Sequence, residues 1–285
     1  MDLGWDKTNS MSPSKAGGRT RPRVPMPSVA KYALYALTKC LPERTKACYF
    51  FRSMPRTQKR DLNRLGIPAQ AIRSYTAELR LDTKFCSDLF ARIASAQEVE
   101  PRLGGIPPMH TLEFIYAMVR HCQPEILVET GVAAGGISSV ILKALHANDK
   151  GKLYSIDLPG FDRQFYPSIG KAYHIHVPDG WEPGWLVPPE LKSGWALVLG
   201  DVRAELPGLL AKLGNIDFFL HDSLHTYEHM MFEYSLAYMY SSHGAYLVSH
   251  DVMPYWSLAF IDFCHAKGLE FALVDGILGI ANIKK

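Results

Sequence analysis

The segment Asp222-Ser223-Leu224-His225 carries the sharpest chemistry in the chain. A carboxylate and an imidazole at this spacing can hold a cation and take a proton. An imidazole with a pKa near 6.5 is matched to proton transfer at neutral pH. A second such pair, His250-Asp251, closes the apolar run AYLVSH. Upstream, Glu129-Thr130-Gly131 opens a glycine turn that continues through Val-Ala-Ala to Gly135 and Gly136, and further acids stand at Asp157 and Asp201. Gly131, Ala133 and Gly136 nearly fit the dinucleotide fingerprint G-x-G-x-x-G, with Asp157 at about the interval of a ribose-binding acid.

The elements around these residues explain why they belong together. After a turn-rich break, GGIPP at 104–108, strand and helix patterns alternate. The pattern predicts helices at 111–121, 137–147 and 202–213, another from about 225, and a last one in WSLAFIDFCHAKG. It predicts strands in EILVET, KLYSID, WALVLG, IDFFLH and AYLVSH, and two short ones in LEFALVDGILGIANI. Such alternation gives an α/β, Rossmann-like, doubly wound and mainly parallel sheet with helices on both faces. Ligands bind such sheets beyond the carboxyl ends of the strands. Each of the first five strands carries an acid at or next to that end: Glu129, Asp157, Asp201, Asp222 and Asp251.

An acidic edge of this kind selects its ligand. In the fingerprint the second glycine lets the backbone approach a pyrophosphate, and here that position is Ala133. Glu129 would also repel a doubly charged phosphate. S-adenosylmethionine suits the edge better: it carries a sulfonium, an ammonium, one carboxylate and no phosphate. Its carboxylate can face a helix N-terminus, its ammonium the acidic turn and its ribose diol Asp157. An NAD-dependent oxidoreductase that reads the glycines as the fingerprint, and a non-catalytic partner-binding relic, are the rival readings.

Residues 105–285 resemble the class I S-adenosylmethionine-dependent methyltransferases. The narrower likeness is to the small-molecule O-methyltransferase branch, with its macrolide-sugar methyltransferases and cephalosporin-hydroxylase-like proteins. The likeness rests on VETGVAAGG, YSIDLPG, LGDVRAELPGLL and IDFFLHDSLHTYEHMMFEY followed by AYLVSHDV. It implies a seven-stranded sheet whose last strand is antiparallel. It also implies a donor site lined by Glu129, Gly131, Gly135 and Asp157, with Asp201 reaching the adenine amine. From the metal-dependent members it implies that Asp222 binds Mg²⁺ or Mn²⁺, with Asp251 beside it, and that His225 removes the acceptor proton. The chain departs from that pattern at His250, where a second acid is expected. Imidazole suits Zn, Fe or Ni better than Mg²⁺. A different metal, water in the vacant position and no metal all stay open.

Plainer readings stand beside these. His225 can cap the following helix. His221, His225 and His229 fall at i, i+4 and i+8, but His221 belongs on a strand, which argues against a metal stripe. Met230, Met231, Phe232, Tyr234, Tyr238, Met239 and Tyr240 read as packing. Trp181, Trp185 and Trp195 lie in or beside a Pro/Gly/Trp-rich segment at 158–194, and Tyr255 and Trp256 follow the fifth strand. They read equally as an acceptor-pocket wall or as satellite core.

Composition bounds the rest. Of 285 residues 47% are hydrophobic, enough for a sizeable core, and no window approaches 18 consecutive apolar residues. The net charge of +3 hides 13 Lys/Arg against 3 Asp/Glu in residues 1–60, and 18 against 25 in the remainder. A basic front on an acidic body does not suit nucleic acid, which needs the excess on the folded face. Residues 1–27 read as a disordered basic tail without the pattern of a secretory signal, and 28–104 as a helical region. Five scattered cysteines without a C-x-x-C pair argue for a reducing, cytoplasmic setting. The expected partner is a small-molecule acceptor, with no membrane. A homo-oligomer is compatible with this reading.

Overall fold

The structure, a computed structural model, describes residues 56–99, 106–158, 165–166, 171–172, 181–252 and 257–285. The expected tail at 1–27, residues 28–55, most of the 158–180 stretch, and Tyr255 and Trp256 lie outside these residues.

Seven strands form the sheet: β1 (Ile126–Thr130), β2 (Lys152–Asp157), β3 (Trp195–Leu199), β4 (Ile216–His221), β5 (Ser241–Ser249), β6 (Phe271–Val274) and β7 (Leu278–Asn282). Their order is β3-β2-β1-β4-β5-β7-β6. The first five pair in parallel, and β7 runs antiparallel to both its neighbours. This is the expected sheet with its antiparallel last strand. The helices are α1 (Arg56–Arg64), α2 (Ala69–Leu81), α3 (Thr83–Val99), α4 (Met109–Cys122), α5 (Gly136–Asn148), α6 (Val202–Leu213), α7 (Tyr227–Tyr240) and α8 (Ala259–Lys267).

Side chains that alternate along a strand point to opposite faces. Leu127, Phe218, Leu220 and Val248 therefore join one core with α4 and α5. Val128, Phe219 and Leu247 join the other with α6, α7 and α8. Burial on both faces explains why β1 and β4 read as near-continuous apolar runs rather than as alternations.

The helical region shares the first of these cores: Leu62, Ile67, Ile72, Leu79 and Leu89 pack with α4 and α5. Polar ties fix it in place. Arg80 on α2 donates to both oxygens of Glu113 on α4 at 2.6 and 2.7 Å. Glu78 accepts from Tyr116 at 2.6 Å and from Arg120 at 2.7 Å. Tyr246 on β5 donates to the Leu65 carbonyl at 2.7 Å. Glu113 is buried, and burial raises its pKa against the opposing pull of Arg80.

Arg80→Met is accordingly expected to destabilise the fold by about 3 kcal/mol, because it strands a buried carboxylate. The deficit should shrink as pH falls, since Glu113, with its raised pKa, then takes up a proton and the uncompensated charge disappears. Urea denaturation of wild type and variant between pH 5 and 8 measures both effects.

Candidate active site

Strand order places the ligand crevice. The order reverses between β1 and β4, and doubly wound sheets bind ligands outside the strand ends at such a switch point. Register then selects the residues. Thr130 on β1 pairs with His221 on β4, which pairs with Ser249 on β5. One step beyond that row lie Gly131, Asp222 and His250. Backbone hydrogen bonds fix them there: Asp222 N donates to the Thr130 carbonyl at 2.8 Å, and His250 N to that of His221 at 2.9 Å.

On the β1 side the turn depends on glycine at two places. Gly131 has φ +83°, and a Cβ there would stand 2.2 Å from the Asp222 carbonyl oxygen. Gly135 has φ +87° and faces the backbone of Gly184 at 2.7 Å from the Cβ position. The segment 184–186 lies over this turn, its amides donating from Gly184 to Ala133 O at 2.8 Å and from Leu186 to Ala134 O at 2.9 Å.

Glu129 is fully buried behind the turn. Its Oε2 accepts from Ser138 on α5 and Ser155 on β2, both at 2.7 Å, and Trp195 Nε1 steadies Ser155 at 2.9 Å. Its Oε1 is buried and has no hydrogen-bond partner among the described residues. Burial pushes the Glu129 pKa up to about 8, with Asp222 and Asp157 adding to the rise.

Asp157 turns back onto the glycine turn. Its Oδ2 accepts from Val132 N at 3.1 Å and Ala133 N at 2.7 Å, and its Oδ1 from Leu158 N at 2.9 Å. Burial raises its pKa despite these bonds. Asp201 lies farther out. It is the N-cap of α6, accepting from Arg203 N at 2.8 Å, a bond worth about 1 kcal/mol.

On the β4 side two acids and two histidines form a cluster. His225 Nε2 lies 3.2 Å from Asp251 Oδ2 and 3.7 Å from Asp222 Oδ1. His250 Nδ1 lies 2.9 Å from Asp222 Oδ1 and 3.5 Å from Asp251 Oδ1. The 2.9 Å contact is close but off the hydrogen-bond direction. Burial works against a charged His250, but Asp222 and Asp251 outweigh it and push its pKa up to about 10. His225 is raised in the same way, burial opposing and Asp251 and Asp222 prevailing. Burial would raise Asp251, yet the two histidines hold it well below the usual carboxylate range.

His225 does not cap α7, whose N-cap is Thr226. Nor do the three spaced histidines form a stripe, because His221 and His229 both turn to Glu233. Asp222, His225 and His250 offer ligand atoms that all lie within 4.8 Å of one another. Two imidazoles and a carboxylate fit a divalent ion of the Fe, Ni or Zn kind better than Mg²⁺. His250, read from the sequence as a departure, is thus a member of the cluster. A cleft of about 310 Å³ between the end of α5 and residues 190–194 opens beside the amino ends of β2 and β3, away from this chemistry.

A sheet of this order and direction, with a glycine turn after β1 and an acid after β2, is the class I methyltransferase fold. Residues 128–252 match the family described as a methyltransferase domain. Among solved structures it is similar to CalS11, a calicheamicin methyltransferase, at 18% identity over 94% of this chain and 99% of that one, TM-score 0.49. It is also similar to an O-methyltransferase from Bacillus cereus in complex with SAH, at 11% identity over 75% and 100%, TM-score 0.48. A third is the O-methyltransferase TomG from Streptomyces achromogenes, involved in tomaymycin synthesis and solved with SAM, at 14% identity over 72% and 91%, TM-score 0.46. Similarities this distant assign no substrate to the chain. No curated protein matches it.

Proposed function

We propose that the chain methylates a hydroxyl group of a small molecule, such as a sugar or another natural product, with His225 as the base. The observation that carries this reading is the contact of the two loops at the switch point. The glycine turn backs directly onto Asp222, and three residues on His225 faces two carboxylates. When bound, S-adenosylmethionine supplies an electrophilic methyl group. Glu129, Gly131, Gly135 and Asp157 are the residues to hold it, and the unpartnered buried Oε1 of Glu129 suits its ammonium. Asp201 is assigned to the adenine amine, alongside its capping bond.

A neutral hydroxyl is a poor nucleophile. In its neutral form His225 accepts that proton, and Asp251 and Asp222, which raise its pKa, stabilise the imidazolium that forms. With His225 acting as base, Asp222 and Asp251 are the residues to hold a divalent ion, with His250 beside them, and the ion would acidify and orient the hydroxyl. The described residues contain no helix long and apolar enough to cross a membrane.

Thermal-shift titration tests the reading. S-adenosylhomocysteine should raise the melting temperature, because a ligand of the native state stabilises by mass action. Mn²⁺ or Zn²⁺ should add to the shift, and EDTA should remove that increment. A shift with NADH and none with S-adenosylhomocysteine would sink the assignment in favour of an oxidoreductase.

Glu129 gives a further expected result. With its pKa at about 8, the free protein carries it largely protonated at pH 7. An ammonium beside it favours the carboxylate, so binding of S-adenosylhomocysteine at pH 7 should release close to one proton. Affinity should rise with pH until about 8 and then level off. Calorimetry in two buffers of different ionisation enthalpy counts the proton, and Glu129→Gln should abolish its release.

A further inference from the structure

Beneath the site lies a second polar group that the chemistry above does not use. Glu233, on α7, is completely buried. Both of its oxygens are occupied. Oε2 accepts from Thr130 Oγ1 at 2.5 Å and faces His221 Nδ1 at 2.8 Å. Oε1 accepts from Ser223 Oγ and faces His229 Nε2 at 2.7 Å. A carboxylate has about four lone-pair sites, and here four donors use them. Burial opposes the charge of Glu233, yet His221 and His229 hold its pKa well below the usual carboxylate range. A neutral His221 with its proton on Nδ1 is sufficient, and burial lowers the pKa of that ring.

The donors come from four separate places. Thr130 ends β1 and precedes Gly131; His221 ends β4; Ser223 sits between Asp222 and His225; His229 lies in the first turns of α7. We infer that Glu233 is a positioning residue that locks the Asp222–His225 loop to the donor turn. It touches no reacting atom in this scheme. Its effect reaches the chemistry through Ser223, which stands next to Asp222 and two residues before His225. Anchoring β1 and that loop to one carboxylate fixes the spacing between methyl donor and base, and such alignment is a large part of what a displacement reaction gains from an enzyme. The inference rests on Asp222 and His225 being the reacting face.

Ser223→Ala is the informative variant, because it removes one of the four bonds and leaves the other three. Three measurements on the full chain decide the matter: amide hydrogen exchange, Mn²⁺ affinity by electron paramagnetic resonance, and S-adenosylhomocysteine affinity by calorimetry. The expected result is a melting temperature within a few degrees of wild type and donor-product affinity within about threefold. The amides of 222–226 should exchange at least tenfold faster, and Mn²⁺ should bind at least tenfold more weakly. Glu233→Gln should move the same quantities further; if it fails to fold, Ser223→Ala still decides. Unchanged exchange at 222–226, or an equal loosening of the whole domain, would overturn the inference, the second because it marks a merely structural bond. If wild type binds no Mn²⁺, the metal part of the proposed function fails, and exchange at 222–226 alone judges Glu233.

Discussion

Gly131→Ala is expected to abolish binding of S-adenosylhomocysteine and to lower the melting temperature by roughly 10 °C. Two effects add. The backbone at Gly131 has φ +83°, where a side chain costs about 1–2 kcal/mol. The new methyl group would also lie 2.2 Å from the Asp222 carbonyl oxygen, 2.5 Å from its carbon and 2.8 Å from Ser223 N. All three are backbone atoms, so no side chain can swing away, and overpacking of this kind adds about 1–3 kcal/mol or more. For a domain of this size each kcal/mol moves the midpoint by about 2–4 °C.

Relief requires the glycine turn and the Asp222 loop to separate, and that parts the donor side of the site from the acceptor side. Gly268→Ala is the control. Its φ is +64°, in the left-handed region, but nothing stands within 4 Å of its Cβ position, so it should lose only the backbone term and keep donor affinity. Thermal melts and calorimetry on both variants check the contrast. Equal behaviour would mean that the contact with Asp222 does not matter.

The sequence made the sheet legible because parallel strands buried on both faces must be apolar throughout and must end where polar residues begin. EILVET, KLYSID and IDFFLH say so directly, and their ends locate the rim. What an acid does at that rim is a different kind of information. Position along the sequence marks Asp157 and Asp201 as ligand contacts; the structure shows each serving the backbone, one gathering the amides of the glycine turn and the other capping α6. Such use depends on loop paths rather than residue types, and so the sequence does not carry it.

His250 departs from the expected acid in residue type, yet the structure brings its imidazole against Asp222. Glu233 was missed, although a signal existed. It is a lone acid in the apolar stretch MMFEYSLAYMY, four residues after His229, where two side chains on a helix must meet. A charge in such a stretch needs partners, and the neighbouring histidines and hydroxyls were the candidates.

His225→Ala is expected to lower turnover on a hydroxylated acceptor, once screening identifies one, by about 10²- to 10⁴-fold, with donor affinity unchanged. That loss is about 3–5 kcal/mol in the barrier. Stability should fall modestly, because Asp251 loses the nearer of the two imidazoles that hold its charge while His250 stays beside it. The α7 cap is Thr226 and is left intact. Donor affinity should survive because Glu129 and Asp157 are held by partners of their own, Ser138 and Ser155 for the one and the amides of the glycine turn for the other. His225→Gln separates the base from its shape. Glutamine fills much of the same space and can bond to Asp251, but it cannot take a proton at neutral pH, so a base requires it to be nearly as slow as alanine. Added imidazole should restore part of the rate in His225→Ala, where the space is open, and none in His225→Gln. A glutamine variant with wild-type turnover would assign His225 to the architecture of the loop and leave proton removal to another group.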